Sequence, residues 1–162
     1  MLLLIPRFLH RMIMRFGHPV RMALLRRFNV TVYGCRIIAL DGEGRVLLLR
    51  QTYGRDWWLA PSGGMKRGED AIFTARRELT EETGCTLHEA REVEALVEDY
   101  YGLTNEVRVV VGLTVGDPQA DRRQVREVRW FDRDVFPEGL APKVRSGLDR
   151  WIATWERYRN DN

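Results

Sequence analysis

Cysteine and histidine are scarce in this sequence, which narrows the chemistry that it supports. The two cysteines, Cys35 and Cys85, lie fifty positions apart in apolar stretches, and this spacing matches neither a metal site nor a redox pair. We therefore expect two buried, reduced thiols and no disulfide. The three histidines, His10, His18 and His88, do not cluster, so the sequence gives no support to histidine-based catalysis.

Long apolar runs are also absent. No uninterrupted stretch is long enough to span a bilayer, and the N-terminal segment has neither the positive start nor the small-residue cleavage site of a secretory signal. The chain has 162 residues, of which 44% are hydrophobic and 30% charged, as in ordinary single-domain globular proteins. We therefore expect a cytoplasmic protein with one folded domain.

Acidic residues are missing from the first 28 positions, which carry six arginines. Because the whole chain has a net charge of +3, residues 29–162 together carry −3. The basic character therefore belongs to an N-terminal arm, residues 1–27. The expected domain, residues 28–160, shows no strong net-charge signal for nucleic-acid binding.

The arm has a pattern that predicts an amphipathic helix over residues 1–16, ending near Gly17. Its apolar positions recur at helical spacing: Leu4, Ile5, Phe8, Leu9, Met12, Ile13 and Phe16. The simpler interpretation is a terminal helix that packs on the domain or on a partner chain. The alternative is weak binding to an anionic membrane surface, or self-association, through residues 1–16. The oligomeric state stays open.

The most informative segment follows a glycine-rich loop at residues 63–68. Its apolar spacing predicts a helix from Asp70 to Thr83, and Gly84 is the residue type that commonly follows a helix end. Three glutamates near the end of this helix lie within one turn and can converge on one point: Glu78, Glu81 and Glu82.

Such a cluster of carboxylates is unfavourable unless its charge is compensated. Two like charges about 4 Å apart repel by roughly 4 kcal/mol at an effective dielectric constant near 20. The helix dipole adds to this repulsion at the C-terminal end. One interpretation is a solvated acidic face, in which water screens the charges. The other is a divalent cation site, since Mg²⁺ prefers carboxylate and carbonyl oxygens together with substrate phosphates.

The spacing resembles the Nudix box, Gly-x5-Glu-x7-Arg-Glu-U-x-Glu-Glu-x-Gly-U, in which U is a bulky aliphatic residue. Eight of its nine specified positions fit, and the last is Cys85, a small apolar residue in place of an aliphatic one. The matching residues are Gly63, Glu69, Arg77, Glu78, Leu79, Glu81, Glu82 and Gly84. On this motif the chain is identified as a member of the Nudix hydrolases.

The resemblance implies an enzyme that hydrolyses the pyrophosphate bond of a nucleoside diphosphate linked to another moiety, such as a nucleotide or a nucleotide sugar. It implies Mg²⁺ as the cofactor, with Mn²⁺ as a substitute. The implied metal ligands are the carboxylates of Glu78, Glu81 and Glu82 and the backbone carbonyl of Gly63. Arg77 would pair with Glu69 and hold the acids in register. Glu78 is the first choice for the general base and Glu81 the second.

Alternatives remain open at each level. An acid outside the box is the other choice for the base or for a further ligand: Glu98, Asp99, Asp121 or Glu127. Arg50, at the end of a predicted strand, is a candidate phosphate contact, although a surface arginine is the simpler interpretation. The alternative function is a catalytically silent Nudix-fold module that binds a nucleotide or is recruited by a partner. The complete acidic cluster argues against it.

The rest of the chain predicts an α/β fold. Strands are expected over residues 30–40, 45–51, 57–60, 91–101, 106–115 and 125–131, and a C-terminal helix over residues 140–158. Helices on opposite faces of these strands imply a Nudix-type α/β/α sandwich around a mixed β-sheet.

Overall fold

The computed structural model describes residue 27 and residues 30–161. The predicted arm helix over residues 1–16 lies outside the described residues. The described strands are β1 (Val32–Leu40), β2 (Val46–Gln51), β3 (Ser62–Met65), β4 (Thr86–Tyr100), β5 (Leu103–Val115) and β6 (Val125–Phe131). The described helices are α1 (Ala71–Thr83), α2 (Pro142–Arg145) and α3 (Leu148–Asn160).

The strands form one mixed sheet in the order β4-β5-β1-β2-β6, with β3 paired to β1. β1 and β5 are parallel, and the other pairs are antiparallel. The first half of β1 pairs with β3, where Cys35 lies opposite Gly63, whereas its last residue, Leu40, lies opposite Val46 of β2. The fork between β2 and β3 places the glycine-rich loop directly on the sheet.

Two apolar cores lie on opposite faces of this sheet. Successive residues of a strand point to opposite faces, so Ile37 packs in the core under α1 while Ile38 packs in the core under α3. Both side chains are fully buried. This arrangement confirms the predicted α/β/α sandwich, with α1 on one face and α3 on the other.

Helix α1 begins and ends where the sequence predicts. The side chain of Asp70 caps the helix by accepting a hydrogen bond from the backbone N–H of Phe73 at 2.7 Å. Gly84 adopts the left-handed conformation at the other end, with φ of 74°. Cys35 and Cys85 are both buried free thiols, as predicted. The apolar spacing that predicts this helix includes Phe73 among the residues facing the core, but its side chain is largely exposed.

The C-terminal helix predicted over residues 140–158 is two helices, α2 and α3. They are separated at Ser146 and Gly147, where an added Cβ on Gly147 would lie 2.1 Å from the ring of Trp151. This close approach lets the buried Trp151 ring pack under the break. No helix in the described part of the chain is long and apolar enough to cross a bilayer.

The strand boundaries differ from prediction at three places. Strand β4, predicted from residue 91, begins five residues earlier, at Thr86. The segment predicted as a strand over residues 57–60 forms only isolated bridges, and the strand begins after Pro61 instead. The turn predicted at residues 102–105 is shorter, since Tyr101 and Gly102 both have positive φ and close a tight two-residue hairpin. A tyrosine in that conformation gives no turn signal in the sequence.

Candidate active site

The glycine-rich loop and α1 meet at Gly63. An added Cβ on Gly63 would lie 2.0 Å from the carboxyl carbon of Glu78, so only glycine lets this carboxyl pack against the loop. The pairing of β3 with β1 holds the loop in this place, with Gly63 opposite Cys35. The carboxyl of Glu78 therefore sits at the junction of the sheet, the loop and the helix.

Glu82 is the most buried carboxyl of the predicted cluster. Its side chain faces the loop, and one oxygen accepts a hydrogen bond from the backbone N–H of Ser62 at 3.2 Å. Burial raises the pKa of Glu82 to about 8, against the opposing effect of the Ser62 hydrogen bond, and the nearby charges of Glu78, Asp121 and Glu81 add to the rise. A carboxyl in this setting favours a positive partner.

Arg77 supplies positive charge to the other acids of the box, but not to Glu82. Its Nη1 lies 2.6 Å from Oε1 of Glu78 and 3.8 Å from Oε1 of Glu81. The predicted pair with Glu69 is longer, at 3.9 Å from Nη2 to Oε1, and Glu69 also accepts a hydrogen bond from the backbone N–H of Lys66 at 2.8 Å. Arg77 therefore contacts three of the box acids at once, and its shortest contact is with Glu78.

The pKa of Glu78 depends on both its burial and its contact with Arg77. Burial raises the pKa of this carboxyl, the contact with Arg77 opposes the rise, and the charges of Glu81 and Glu69 contribute to it. The net direction is upward. Glu81 differs from its two neighbours because its side chain is 62% exposed.

The carboxylate and carbonyl oxygens at this junction are of the kind that binds a hard divalent cation. Among residues 27 and 30–161, no three His, Cys, Asp or Glu side chains are arranged to hold a metal ion together. Glu78 and Glu82 are nevertheless desolvated, and Arg77 contacts only the first of them. The buried carboxyl of Glu82, the half-buried carboxyl of Glu78, a close backbone approach at Gly63 and the exposed carboxyl of Glu81 offer the oxygen ligands that Mg²⁺ prefers.

Two of the acids considered outside the box are engaged elsewhere. Glu98 forms two hydrogen bonds with Arg36, at 2.9 and 3.0 Å, and a third with Lys143 at 3.0 Å. Burial alone would raise the pKa of Glu98, but these two cations lower it overall. Asp99 accepts a hydrogen bond from the backbone N–H of Gly102 in the β4–β5 turn. Both acids have structural partners.

The other two acids lie closer to the box cluster or to Arg50. Asp121 accepts hydrogen bonds from three successive backbone N–H groups, those of residues 123–125, and its charge contributes to the raised pKa of Glu82. Glu127 lies opposite Arg50 on the neighbouring strand, and its Oε2 is 3.7 Å from Nη1 of that arginine. Of the four acids considered outside the box, Asp121 is therefore the one whose charge affects the box cluster.

Arg50 lies on an aromatic surface that the sequence did not reveal. Its guanidinium carbon stands 4.6 Å from the ring centre of Trp58. Its Nε is buried and has no hydrogen-bond partner, and the nearest carboxyl oxygen, on Asp56, is 3.6 Å away. A cation with an unused donor suits an anionic ligand. Only the pairing of β2 with β6 and the position of Trp58 create this environment, so no local motif could have signalled it.

Comparison with known proteins places these features in a family. A family model described as the NUDIX domain matches residues 31–154. An RNA pyrophosphohydrolase of Teredinibacter turnerae is 47% identical, over 74% of this chain and 69% of that protein. An RNA pyrophosphohydrolase of Dinoroseobacter shibae is 34% identical, over 72% of each chain. The crystal structure of a MutT Nudix hydrolase from Burkholderia pseudomallei shares the fold, with a TM-score of 0.66 at 22% identity over 74% of this chain and 97% of that one.

Proposed function

From the premise that this chain belongs to the Nudix hydrolase family and acts on pyrophosphate bonds, we propose that it removes pyrophosphate from the 5′ end of RNA with Mg²⁺ as cofactor. The observation that best supports this reaction is the junction at Gly63. There the carboxyl of Glu78 packs against a glycine that no other residue can replace. The RNA substrate comes from the two relatives, both of which are named RNA pyrophosphohydrolases.

The box residues have two proposed roles, cation binding and proton transfer. The cation ligands are the carboxylates of Glu78, Glu81 and Glu82 and the backbone carbonyl of Gly63. When bound, a divalent cation neutralises charge on the phosphates and lowers the pKa of water. Gly63, Glu78 and Glu82 lie at the contact between the loop and α1, and Glu81 is linked to it through Arg77.

Glu78 is the proposed general base. Arg77 engages Oε1 of Glu78 at 2.6 Å, which leaves Oε2 to accept a proton from the attacking water. Burial raises the pKa of Glu78 and brings it closer to the working pH, as a general base requires. Glu69 and Glu81 contact the same arginine and fix its orientation. Glu81 is the second choice for the base.

Arg50 is the proposed contact for a substrate phosphate. It combines a fixed position over Trp58 with a buried N–H that has no protein acceptor. The Arg50 side chain is 26% exposed, and a phosphate oxygen would bind the accessible part of the guanidinium with a charge-assisted hydrogen bond.

The second candidate substrate is a small nucleoside diphosphate derivative, such as a nucleotide sugar. The net charge of −3 over residues 29–162 favours it, because a polynucleotide would approach a negatively charged domain. The third candidate is a catalytically silent binding module, which would not require a complete set of box acids.

A substrate screen separates these outcomes. The full chain is incubated with Mg²⁺ or Mn²⁺ and either a 5′-triphosphorylated RNA oligonucleotide or a panel of nucleoside diphosphate derivatives, with E82Q as the control. We expect metal-dependent conversion of the RNA to a 5′-monophosphate by the wild type alone. Cleavage confined to the small nucleotides would replace the RNA assignment with the second candidate. Binding without cleavage of any compound would support the silent module.

A further inference from the structure

Gly34, near the start of β1, has no side chain, although its packing would allow one. Its φ is not positive, and the pairing of β1 is regular on both sides of it. The nearest atoms to an added Cβ would lie 3.6 Å away, which is ordinary van der Waals contact. A glycine inside a strand weakens it and often marks a bulge, a bend or the close approach of a ligand. Gly34 therefore leaves a space on the sheet that needs a reason other than packing.

The space above Gly34 adjoins the proposed catalytic junction. The two atoms nearest to an added Cβ are the carbonyl oxygen of Gly63 and Oδ1 of Asn105, each 3.6 Å away. These two oxygens can therefore be no more than twice that distance apart. Because the Gly63 carbonyl is a proposed cation ligand, a pyrophosphate held by the cation would bring the adjoining part of the substrate to Asn105.

Gly34 and Asn105 lie on the face of the sheet that α3 covers. Side chains alternate between the two faces of a strand. Gly34 precedes Cys35, which packs in the core under α1, and Asn105 lies four residues before Val109, which packs in the core under α3. The space above Gly34 is therefore on the opposite face from α1, and the Gly63 carbonyl adjoins it.

The side-chain amide of Asn105 is half-buried and has unused hydrogen-bonding groups. No residue that the structure describes forms a hydrogen bond with it. The acid directly opposite on β4 is Glu98, whose carboxylate already binds Arg36 and Lys143. Asparagine is depleted in strands, so strand preference does not account for this residue. Its two N–H donors and its acceptor oxygen are left for a ligand.

A ribose hydroxyl is the ligand group that suits this position. In a nucleotide the ribose is joined directly to the phosphate, and the base lies beyond it. A group close to the Gly63 carbonyl therefore meets the ribose first. A hydroxyl both donates and accepts a hydrogen bond, and so does an amide. The 2′-hydroxyl is also the group by which a protein distinguishes RNA from DNA.

We infer that Asn105 binds the 2′-hydroxyl of the nucleotide next to the reacting pyrophosphate, in the space that Gly34 leaves open. This contact makes the enzyme selective for ribonucleotides over deoxyribonucleotides. The inference rests on the proposed reaction at Gly63. It holds for the 5′ end of RNA and for a small ribonucleotide, because both carry this hydroxyl.

The test compares ribonucleotides with their 2′-deoxy counterparts. The measured quantity is kcat/KM for a 5′-triphosphorylated RNA dinucleotide divided by kcat/KM for the same dinucleotide with a 2′-deoxy first residue. ATP and 2′-deoxy-ATP form the corresponding small-nucleotide pair. For the pair that is cleaved, we expect a wild-type ratio of roughly two- to tenfold, the range of one hydrogen bond between neutral groups. In Asn105→Ala the ratio should fall to unity. A wild-type ratio of unity, or an unchanged ratio in the variant, would overturn the inference.

Two further readouts separate a lost contact from a disturbed strand. In Asn105→Ala, KM for the ribonucleotide should rise with kcat unchanged, and both constants for the deoxyribonucleotide should stay at their wild-type values. A disturbed strand would instead affect both substrates alike. Thr104→Ala is the matched control, since Thr104 is exposed on the same strand and points to the other face. Loss of the ratio in this control as well would overturn the assignment to Asn105.

Gly34→Ala tests the space itself. The added methyl group makes only ordinary contacts, so the variant should fold, but it occupies the position assigned to the ribose. KM should rise several-fold for the ribonucleotide and for the deoxyribonucleotide, with little change in kcat. A wild-type KM in this variant would show that the substrate does not lie over Gly34.

Calorimetry with a nonhydrolysable nucleotide keeps the inference separate from the proposed reaction. The probes are α,β-methylene-ATP and its 2′-deoxy form, titrated into the full chain with Mg²⁺. Tighter binding of the ribose form by the wild type but not by Asn105→Ala supports the inference, even where no substrate is cleaved and the proposed reaction fails. Equal affinities or no binding, in a protein that cleaves neither pair, overturn it. Cleavage with the same ratio in both proteins overturns the inference and leaves the reaction standing.

Discussion

At the scale of single residues, the two adjacent glycines of the loop offer a matched pair. An added Cβ on Gly63 meets the Glu78 carboxyl at 2.0 Å, whereas an added Cβ on Gly64 meets nothing within 4 Å. Gly63→Ala should therefore push Glu78 out of place and lower turnover by about a hundredfold or more, the loss typical of a disturbed catalytic group. Gly64→Ala should stay near the wild-type rate. Steady-state rates of the two variants check this, and equal rates would mean that the Glu78 position does not matter.

Glu82 gives a second test at this scale. Glu82→Gln keeps the shape of the side chain and its acceptor for the Ser62 N–H, but removes the negative charge that a cation needs. We expect turnover to fall by at least about a hundredfold, since a metal-dependent step derives several kcal/mol from the bound ion. Glu81→Gln should have a comparable effect if its exposed carboxyl is also a ligand. Wild-type turnover in either variant would refute that ligand assignment.

The same substitution has a consequence for stability without metal. Burial raises the pKa of Glu82 in the folded protein to about 8 from an ordinary value of 4.5. The folded state therefore binds more protons than the unfolded state between these values, and the free energy of unfolding decreases as pH rises through this window. A tenfold change in proton affinity corresponds to about 1.4 kcal/mol, so the decrease amounts to a few kcal/mol at most.

Urea unfolding in the presence of a chelator measures this effect. The wild type should lose stability from pH 5 to pH 8, whereas Glu82→Gln should show a flatter profile and exceed the wild type at pH 8. Added Mg²⁺ should restore stability to the wild type at pH 8 and do little for the variant. A wild-type profile as flat as that of Glu82→Gln would show that the buried carboxyl carries no electrostatic strain.

The sequence alone was sufficient to predict that the three glutamates share one helix, but not how they contact the loop. The spacing of the three glutamates depends only on the period of one helix, so it is local and readable. The hydrogen bond from Ser62 to Glu82 and the stacking of Arg50 on Trp58 join residues that are distant in sequence or brought together by the sheet. Their geometry depends on tertiary structure, which no spacing rule contains.

At the scale of secondary-structure elements, a group of charges ties β1, β4 and α2 together. The carboxylate of Glu98 on β4 binds Arg36 on β1 through both oxygens and also binds Lys143 on α2. The side chains of Arg36 and Glu98 are only 12% and 15% exposed. Removal of one partner would leave a largely buried charge without its counterion, which is strongly unfavourable.

Glu98→Gln tests whether this acid is structural or catalytic. We expect the free energy of unfolding at pH 7 to fall by roughly 1–3 kcal/mol and turnover of the folded enzyme to change little. The partners lower the pKa of Glu98, so its contribution is present at neutral pH and is lost as pH falls through the lowered value. The variant and the wild type should therefore approach equal stability in acid. A loss of turnover without a loss of stability would instead identify Glu98 as the base outside the box.

The elements themselves were predictable where local signals agree with the tertiary structure. Asp70 and Gly84 bound α1 as their residue types predict, and the long apolar strands were recognisable from their composition. The sequence missed β3 because Gly63 and Gly64 have little strand preference, and this strand exists only through its pairing with β1. It also missed the break between α2 and α3, since that break depends on how Trp151 packs against Gly147.

At the scale of the whole molecule, the charge is divided between two parts of the chain. The first 28 residues carry +6 and the rest −3. The family match begins at residue 31, and every box residue and Arg50 lie within it. We therefore propose that residues 28–160 are the catalytic domain and that residues 1–27 are an attachment outside it.

Deletion of residues 1–27 separates the roles of arm and domain. Because the proposed site lies wholly within the family match, the shortened chain should hydrolyse a 5′-triphosphorylated dinucleotide at close to the rate of the full chain. Loss of six positive charges should weaken any sedimentation with anionic liposomes, and the same deletion should shift the mass measured by light scattering if the arm mediates self-association. Unchanged sedimentation and mass would favour an arm that packs on its own domain. A collapse of the hydrolysis rate in a folded protein would show that the arm completes the site, and the domain boundary at residue 28 would then be wrong.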